Sequence, residues 1–300
     1  TETLIRKFLP EFNIETEDFD NGLDKEAMLE AFRAGAKKGR LAMVFIETPS
    51  NPTNTMVDFV ALNEALDIIE EETGQRPVTV CDNTLLGPVF QQVVPQGIDI
   101  AVYSVTKYIG GHSDLVAGAV CGARKVLKPI RSVRGALGLN LDPHTSWMIS
   151  RSLETLTIRM QRAEDSGRKV AQWIAENPYI SARVTHPDFI DDPQYKEVYK
   201  RQCSGAGSTF SFVVNAPKSE VFKFINALSI FKSAVSLGGS ESLICHPAST
   251  THSGVAQELR AKAGVTDGLV RLSIGLEHPE DLIADLDNAF KMVFKEAKAA

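Results

Sequence analysis

One lysine, Lys107, lies in a sequence context that is rare for a surface lysine. It follows an apolar stretch and stands in a polar turn together with Ser104 and Thr106. A lysine becomes nucleophilic when desolvation lowers its pKa, and its free amine can then form a Schiff base with an aldehyde. An acidic residue, Asp82, ends a neighbouring apolar segment. This lysine and this carboxylate together are what an aldehyde cofactor requires.

The aldehyde cofactor that pairs a lysine with an acidic residue is pyridoxal 5′-phosphate (PLP). In such a site Asp82 is expected to pair with the protonated ring nitrogen and keep the ring an electron sink. Ser104 and Thr106 project to one side of an extended strand end, and their hydroxyls are predicted to bind the phosphate. Each residue alone also has a structural interpretation, namely turn capping for Asp82 and local side-chain bonding for the two hydroxyls. The combination favours the cofactor site.

The first half of the chain alternates amphipathic and apolar segments. The pattern predicts helices over residues 24–38 and 58–73 and buried strands over residues 41–47, 78–81, 98–102 and 116–121. This alternation predicts an α/β fold with a mainly parallel sheet. Glu47, Asp82 and residues 104–107 fall just past the carboxyl ends of their strands, which is where open α/β sheets bind ligands.

The second half of the chain has a different pattern. It predicts a long helix over residues 145–177, strands over residues 208–214 and 268–275, and helices over residues 219–228 and 278–298. Three hundred residues exceed what one hydrophobic core usually serves. We therefore predict a PLP-binding large domain over residues 1–155 and a smaller α+β domain over residues 156–300.

Bulk properties exclude several classes of partner. The net charge of −6 argues against nucleic acid or an anionic membrane as a main partner, and no apolar run reaches the roughly 20 residues that span a bilayer. The four cysteines form no C-x-x-C motif and are interpreted as reduced thiols of a cytoplasmic protein. No signal peptide is visible, although the sequence begins with Thr1, so an upstream segment is expected.

Longer motifs surround the candidate residues. They are VCDNT (residues 80–84), SVTKYIGGHSD (104–114), VSLGGSESL (235–243), ETPSNP (47–52), HPASTTH (246–252) and GLVRLSIGLE (268–277). Together they resemble the Cys/Met-metabolism PLP-dependent enzyme family over essentially the whole chain. The resemblance implies a type I, aspartate-aminotransferase-like fold with a seven-stranded-type sheet. It also implies a homotetramer of dimers whose active sites cross the subunit interface.

The resemblance assigns roles to further residues. Arg271 is expected to clamp the α-carboxylate of an amino-acid substrate, and Ser236 to lie between Lys107 and that carboxylate. Asn51 is expected near the 3′-oxygen of the cofactor or near the substrate carboxylate. Family members carry roughly a hundred further N-terminal residues, about one small domain. That segment holds a Gly-Met phosphate turn, a stacking tyrosine, and a tyrosine and an arginine that reach the neighbouring subunit. None of these features is present in this sequence.

The family's reactions differ in substrate. Val235, next to Ser236, is apolar and suits the thioether of methionine better than the charged far end of cystathionine. We therefore predict a methionine γ-lyase reaction, in which Lys107 removes the α-proton. The alternatives are the cystathionine γ-lyase, cystathionine γ-synthase and O-acetylhomoserine sulfhydrylase reactions, and a cofactor-free fragment is the non-catalytic alternative. His246 and His252 lack a completing metal-ligand cluster, which favours hydrogen bonding within their loop.

Overall fold

The first half of the chain folds around a four-stranded sheet. In the computed structural model, which describes residues 3–177 and 181–294, these strands follow one another in sequence order. They are β1 (Met43–Glu47), β2 (Val78–Asp82), β3 (Ile100–Ser104) and β4 (Gly118–Gly122). The first three strands are parallel, and β4 runs antiparallel to β3.

The sheet confirms the α/β class but differs from the expected sheet. In the described residues it has four strands, whereas the resemblance implies a seven-stranded type, and one of its three pairings is antiparallel. Parallel neighbours need a crossover connection, usually a helix. The link between β3 and β4, residues 105–117, contains no helix, so the chain turns back directly beside β3.

Two predicted helices flank this sheet. They are α1 (Lys25–Lys38) and α2 (Phe59–Thr73). The side chains of Asp24 and Asp58 accept hydrogen bonds from the first free N–H groups of α1 and α2. Gly74 ends α2 in the left-handed conformation that glycine adopts without strain. Two helices that the sequence pattern did not predict follow, α3 (Gly87–Phe90) and α4 (Arg124–Ala136).

The prediction of a single long helix over residues 145–177 is wrong in one respect. The structure has two helices there, α5 (Pro143–Leu153) and α6 (Leu156–Ala175). Where they separate, the guanidinium of Arg159 donates to the carbonyl of Ser152 at 2.8 Å and to the carbonyl of Tyr108 at 2.8 Å. The Ser152 carbonyl also accepts the N–H of Thr155 at 3.3 Å, so a turn and the Arg159 side chain together hold the break.

A second sheet, of five strands in the described residues, organises the rest of the chain. Its strands are β5 (Ser181–Val184), β6 (Thr209–Val213), β7 (Lys232–Ser233), β8 (Leu243–Cys245) and β9 (Leu269–Ser273), in the order β5-β6-β9-β8-β7. The accompanying helices are α7 (Pro193–Gln202), α8 (Lys218–Ala227), α9 (Gln257–Lys262) and α10 (Pro279–Phe294). Strands β6 and β9 and helices α8 and α10 confirm the predicted elements; residues 295–298 of the last one lie outside the described residues.

Each sheet has its own hydrophobic core, and α6 contributes to both. Leu156 and Met160 at its start belong to the first core, while Val170 and Ile174 belong to the second. The second core is rich in aromatic side chains such as Phe290. The domain boundary at residues 155 and 156 stays a prediction. No helix in the described part of the chain is both long enough and apolar enough to cross a bilayer.

His186 is buried in the second half of the chain in its neutral form. Its ring is fully buried and packs edge-on against Phe189 and Phe210. Its Nε2 has no hydrogen-bond partner among the described residues. The pKa of His186 is lowered from 6.5 to about 4, mainly by burial; the charge of Asp188 opposes this shift and the charge of Arg168 contributes to it.

We expect this histidine to destabilise the protein in acid. The unfolded chain binds the proton at a higher pH than the folded chain, so stability is lost as the pH falls from 6.5 towards 4. The loss is at most about 3 kcal/mol. Denaturant unfolding at a series of pH values checks this, with His186→Gln as the comparison. Equal acid sensitivity of the parent protein and the variant would contradict it.

Candidate active site

A wide cleft opens where β1, β2 and β3 end. Its volume is about 1320 Å³, larger than the roughly 300–1,000 Å³ of most ligand pockets. Five of the polar residues singled out from the sequence line it: Glu47, Asn51, Asp82, Ser104 and Lys107. The parallel register explains the convergence, because strands of one direction deliver their carboxyl ends to the same edge of the sheet.

Asp82 is held in place by a residue that sequence reasoning missed. The Oδ1 atom of Asp82 accepts hydrogen bonds from the Thr84 N–H at 3.0 Å and from the Thr84 hydroxyl at 2.6 Å. The same hydroxyl accepts a bond from the Ser104 N–H at 2.8 Å. Thr84 thus links the carboxylate at the end of β2 to the serine at the end of β3. The Asp-x-Thr spacing, a common turn pattern, was the available signal.

Lys107 has the environment of a reactive amine. Its Nζ lies 3.2 Å from the hydroxyl of Ser236. The side chain is half-buried, and this desolvation lowers the pKa of Lys107, with a smaller contribution from the positive charge of Arg271. A larger fraction of Lys107 is therefore neutral, and so nucleophilic, at a given pH than of an exposed lysine.

Arg271 is a buried cation in the middle of β9, with 1% of its surface exposed. Its Nη2 donates to the carbonyls of Val235 and Ser236, each at 2.8 Å, and its Nη1 donates to the Asn51 side chain at 3.0 Å. Its Nε has no partner in the part of the chain that the structure describes. Arg271 therefore does not face solvent, and its strand β9 lies between β6 and β8 rather than at the edge of the sheet.

Thr106 and Val235 are placed differently from the candidates that line the cleft. The Thr106 hydroxyl donates to the carbonyl of Ala117 at 3.3 Å and accepts from the N–H of Ala117 at 3.0 Å, which is the local bonding considered as its alternative role. The side chain of Val235 is 56% exposed. Neither residue is among those that line the cleft, and the same is true of Ser236 and Arg271. Their assignment to phosphate and substrate binding stays a prediction.

Glu47 is a further carboxyl group in the cleft. It lies opposite Asp82 in the register of β1 and β2, and its Oε1 accepts the N–H of Asn51 at 2.9 Å. Desolvation by the surrounding protein atoms raises the pKa of Glu47 to about 7, and the charge of Asp82 adds to the rise, even though water reaches the side chain from the open cleft. Glu47 is therefore a carboxyl group that takes up a proton near neutral pH.

The two histidines of residues 246–252 differ in setting. His246 bonds the Ser249 hydroxyl at 2.9 Å and the carbonyl of Asp267 at 2.8 Å, so the predicted loop bonding is observed for it. The Nδ1 of His252 bonds the Thr251 hydroxyl at 2.8 Å, so loop bonding is observed for it as well. His252 also lines the cleft, and desolvation followed by the charges of Arg271 and Arg260 lowers its pKa. No cluster of three potential metal ligands occurs among the described residues.

The donor set of the cleft fits PLP. Lys107 supplies an amine of lowered pKa for the aldehyde, and Asp82 supplies a carboxylate fixed through one oxygen, which suits a protonated ring nitrogen. Ser104 adds a hydroxyl at the same sheet edge. An α/β fold with this combination is that of a PLP-dependent enzyme.

The chain belongs to the Cys/Met metabolism PLP-dependent enzyme family, whose model matches residues 1–291. It is 36% identical to L-methionine γ-lyase of Pseudomonas deceptionensis over 97% of this chain and 70% of the relative. It is 38% identical to human cystathionine γ-lyase over 83% of this chain and 60% of that relative. The crystal structure of Lactobacillus plantarum cystathionine γ-lyase complexed with L-serine superimposes with a TM-score of 0.87 at 29% identity, covering 97% of this chain and 73% of that one.

The environment of Lys107 leads to a labelling prediction. After exposure to limiting PLP, borohydride should fix the cofactor covalently to Lys107 in preference to other lysines. This selectivity should persist to lower pH, because the lowered pKa leaves more neutral amine. Peptide mass spectrometry locates the label, and Lys107→Arg is the control that keeps the charge. Label spread evenly over surface lysines would count against the assignment.

Thr84 leads to a second prediction. Thr84→Val removes the hydroxyl that fixes Asp82 and should weaken PLP affinity about tenfold, the effect of one lost hydrogen bond to a charged group. Thr84→Ser keeps the hydroxyl and should restore affinity to near the parent value. Absorbance titration with PLP measures both variants. If the valine variant binds PLP as tightly as the parent, Thr84 does not position Asp82.

Proposed function

We propose that this site catalyses the γ-elimination of sulfur amino acids, with methionine as the first substrate. Methionine and water would give α-ketobutyrate, methanethiol and ammonia. The observation that carries the proposal is the line of contacts from Lys107 through Ser236 to the buried Arg271. It joins an amine at the end of the first sheet to a guanidinium in the second sheet. That arrangement suits a substrate bearing a carboxylate and a reacting Cα a short distance apart.

Arg271 is the proposed binding group for the substrate α-carboxylate. Its Nη2 is occupied by two main-chain carbonyls, which fix the plane of the guanidinium. Its Nε has no partner among the described residues, and this leaves a buried donor for a carboxylate oxygen. A hydrogen bond from this charged donor to a carboxylate oxygen is stronger than a neutral one. Binding would therefore set the direction of the Cα–H bond.

Lys107 is the proposed base. The bound PLP supplies an electron sink that stabilises negative charge at the substrate Cα. Lys107 takes the α-proton in its neutral form, which its lowered pKa favours. The Ser236 hydroxyl, 3.2 Å from Nζ, steers the amine towards the space next to Arg271. Asp82, fixed by Thr84, keeps its carboxylate in place for the ring nitrogen.

Methionine is favoured by the apolar Val235 and by the similarity to a protein named L-methionine γ-lyase. Cystathionine is the second candidate substrate. The wide cleft also contains Arg183, a cation that suits a second carboxylate, and the similar solved structure is a cystathionine γ-lyase. Cystathionine γ-synthase and O-acetylhomoserine sulfhydrylase reactions remain alternatives within the same family.

A homotetrameric assembly and a cytoplasmic location are also proposals. Assembly is supported by large apolar side chains exposed after β4, including Leu137 at 66%, Trp147 at 59% and Ile158 at 68%. Such exposure on a folded chain marks interaction surfaces.

Turnover of the full-length holoenzyme with methionine, cystathionine and O-acetylhomoserine tests the proposal. We expect α-ketobutyrate and methanethiol from methionine, and loss of turnover in Lys107→Ala by at least about a hundredfold, since general base catalysis contributes that much or more. Absence of α-ketobutyrate from methionine would exclude the first substrate. Absence of turnover with all three would exclude the function.

A further inference from the structure

The loop of residues 48–55, here called the cleft loop, carries Asn51 into the site and is anchored at its far end by Asn54. Asn54 is 2% exposed and has a φ of 55°. Asparagine tolerates this left-handed conformation better than most residues. Its side-chain amide donates to the carbonyl of Thr185 at 3.0 Å and to the carbonyl of Thr209 at 2.9 Å. One amide group therefore ties the loop to two segments of the second sheet region.

Two more hydrogen bonds connect the cleft loop to the second half of the chain. The Ser211 hydroxyl donates to the carbonyl of Pro52 at 2.7 Å, and the Tyr195 hydroxyl donates to the carbonyl of Asn54 at 2.8 Å. Inside the loop, the Asn54 N–H donates to the carbonyl of Ser50 at 2.7 Å. The cleft loop follows β1 in the chain, but these long-range hydrogen bonds attach it to the second half of the molecule.

The strand register places this anchor beside Arg271. In the β6–β9 pair, Ser211 lies opposite Arg271 and Thr209 lies opposite Ser273. The residues that hold the cleft loop and the arginine that contacts Asn51 thus stand on adjacent strands. The hydrogen bond from Arg271 to Asn51, 3.0 Å long, joins the cleft loop to β9 as well. Any shift of the loop relative to β6 changes the partner available to the guanidinium.

We propose that Asn54 is a positioning residue for substrate binding: it fixes the cleft loop to β6, so that Asn51 holds Arg271 in the orientation that receives the α-carboxylate. This inference rests on the proposed function of Arg271. A side chain here must supply two N–H donors to two buried carbonyls. A carboxylate of the same size supplies none and leaves both carbonyls without a partner.

Gln202 provides a matched comparison. It is 4% exposed and also joins the two halves of the chain, because its amide donates to the carbonyl of Val57 at 2.9 Å and accepts from the N–H of Phe59 at 2.7 Å. These bonds hold the start of α2 and leave the cleft loop's Asn51 untouched. Asn54→Asp and Gln202→Glu each convert a buried amide to a carboxyl group of the same size.

In the full-length holoenzyme, Asn54→Asp should raise KM for the amino acid about tenfold and leave kcat within about twofold, since the lost bonds orient Arg271 rather than Lys107. Gln202→Glu should lower thermal stability without changing KM. Ser211→Ala, a milder change in the same anchor, should raise KM about threefold. Equilibrium binding of the amino acid, followed through the absorbance of the bound cofactor, should weaken in parallel with KM.

An unchanged KM in a folded Asn54→Asp protein, or equal increases in Asn54→Asp and Gln202→Glu, would overturn the inference. If Asn54→Asp fails to fold, Ser211→Ala decides, and an unchanged KM there has the same meaning. A parent protein that turns over no sulfur amino acid would instead reject the proposed function. In that case the equilibrium binding of the amino acid, measured in the parent protein and in each variant, still tests whether Asn54 affects substrate binding.

Discussion

A guanidinium that is 1% exposed within a β-sheet is costly unless its N–H groups are bonded, because burial removes the hydration of the charge. In this protein the bonds to Arg271 come from two separate parts of the chain. The carbonyls of Val235 and Ser236 hold one nitrogen, and Asn51 on the cleft loop holds another. The need to satisfy this buried cation therefore couples the two sheets.

The same coupling explains why the reactive groups meet. Ser236 contributes its carbonyl to Arg271 and its hydroxyl to Lys107, so one residue sets both the carboxylate-binding group and the base. Next to the lysine, the Tyr108 hydroxyl lies 2.6 Å from the Thr209 hydroxyl of β6. The turn that contains Lys107 and Tyr108 and the cleft loop are thus both hydrogen-bonded to β6. The same hydrogen bonds therefore position the proposed catalytic groups and join the two halves of the chain.

Local features of the fold could be read from the sequence. Asp24 and Asp58 mark helix starts, and Asp82 and Ser104 mark strand ends, because caps and buried strands depend on residues a few positions apart. Long-range features could not be read. The two carbonyls that Asn54 binds belong to residues that are 131 and 155 positions after it in the sequence. The break before α6 likewise involves a long-range contact, from Arg159 to the carbonyl of Tyr108.

The site shows the same division. The sequence motifs singled out Lys107 and Asp82 as candidates, whereas the bonds from Thr84 to Asp82 and Ser104 were seen in the structure. Thr106 shows the converse, since its hydroxyl bonds Ala117 locally and a spacing rule cannot detect that competition.

A crystal structure of the full-length protein with PLP and a substrate-like carboxylate tests the account most directly. We expect the cofactor bonded to Nζ of Lys107, its ring nitrogen within hydrogen-bond distance of Asp82, and the carboxylate bonded to Nε of Arg271. A carboxylate bound elsewhere in the cleft, with the Arg271 guanidinium still making only its protein contacts, would contradict it.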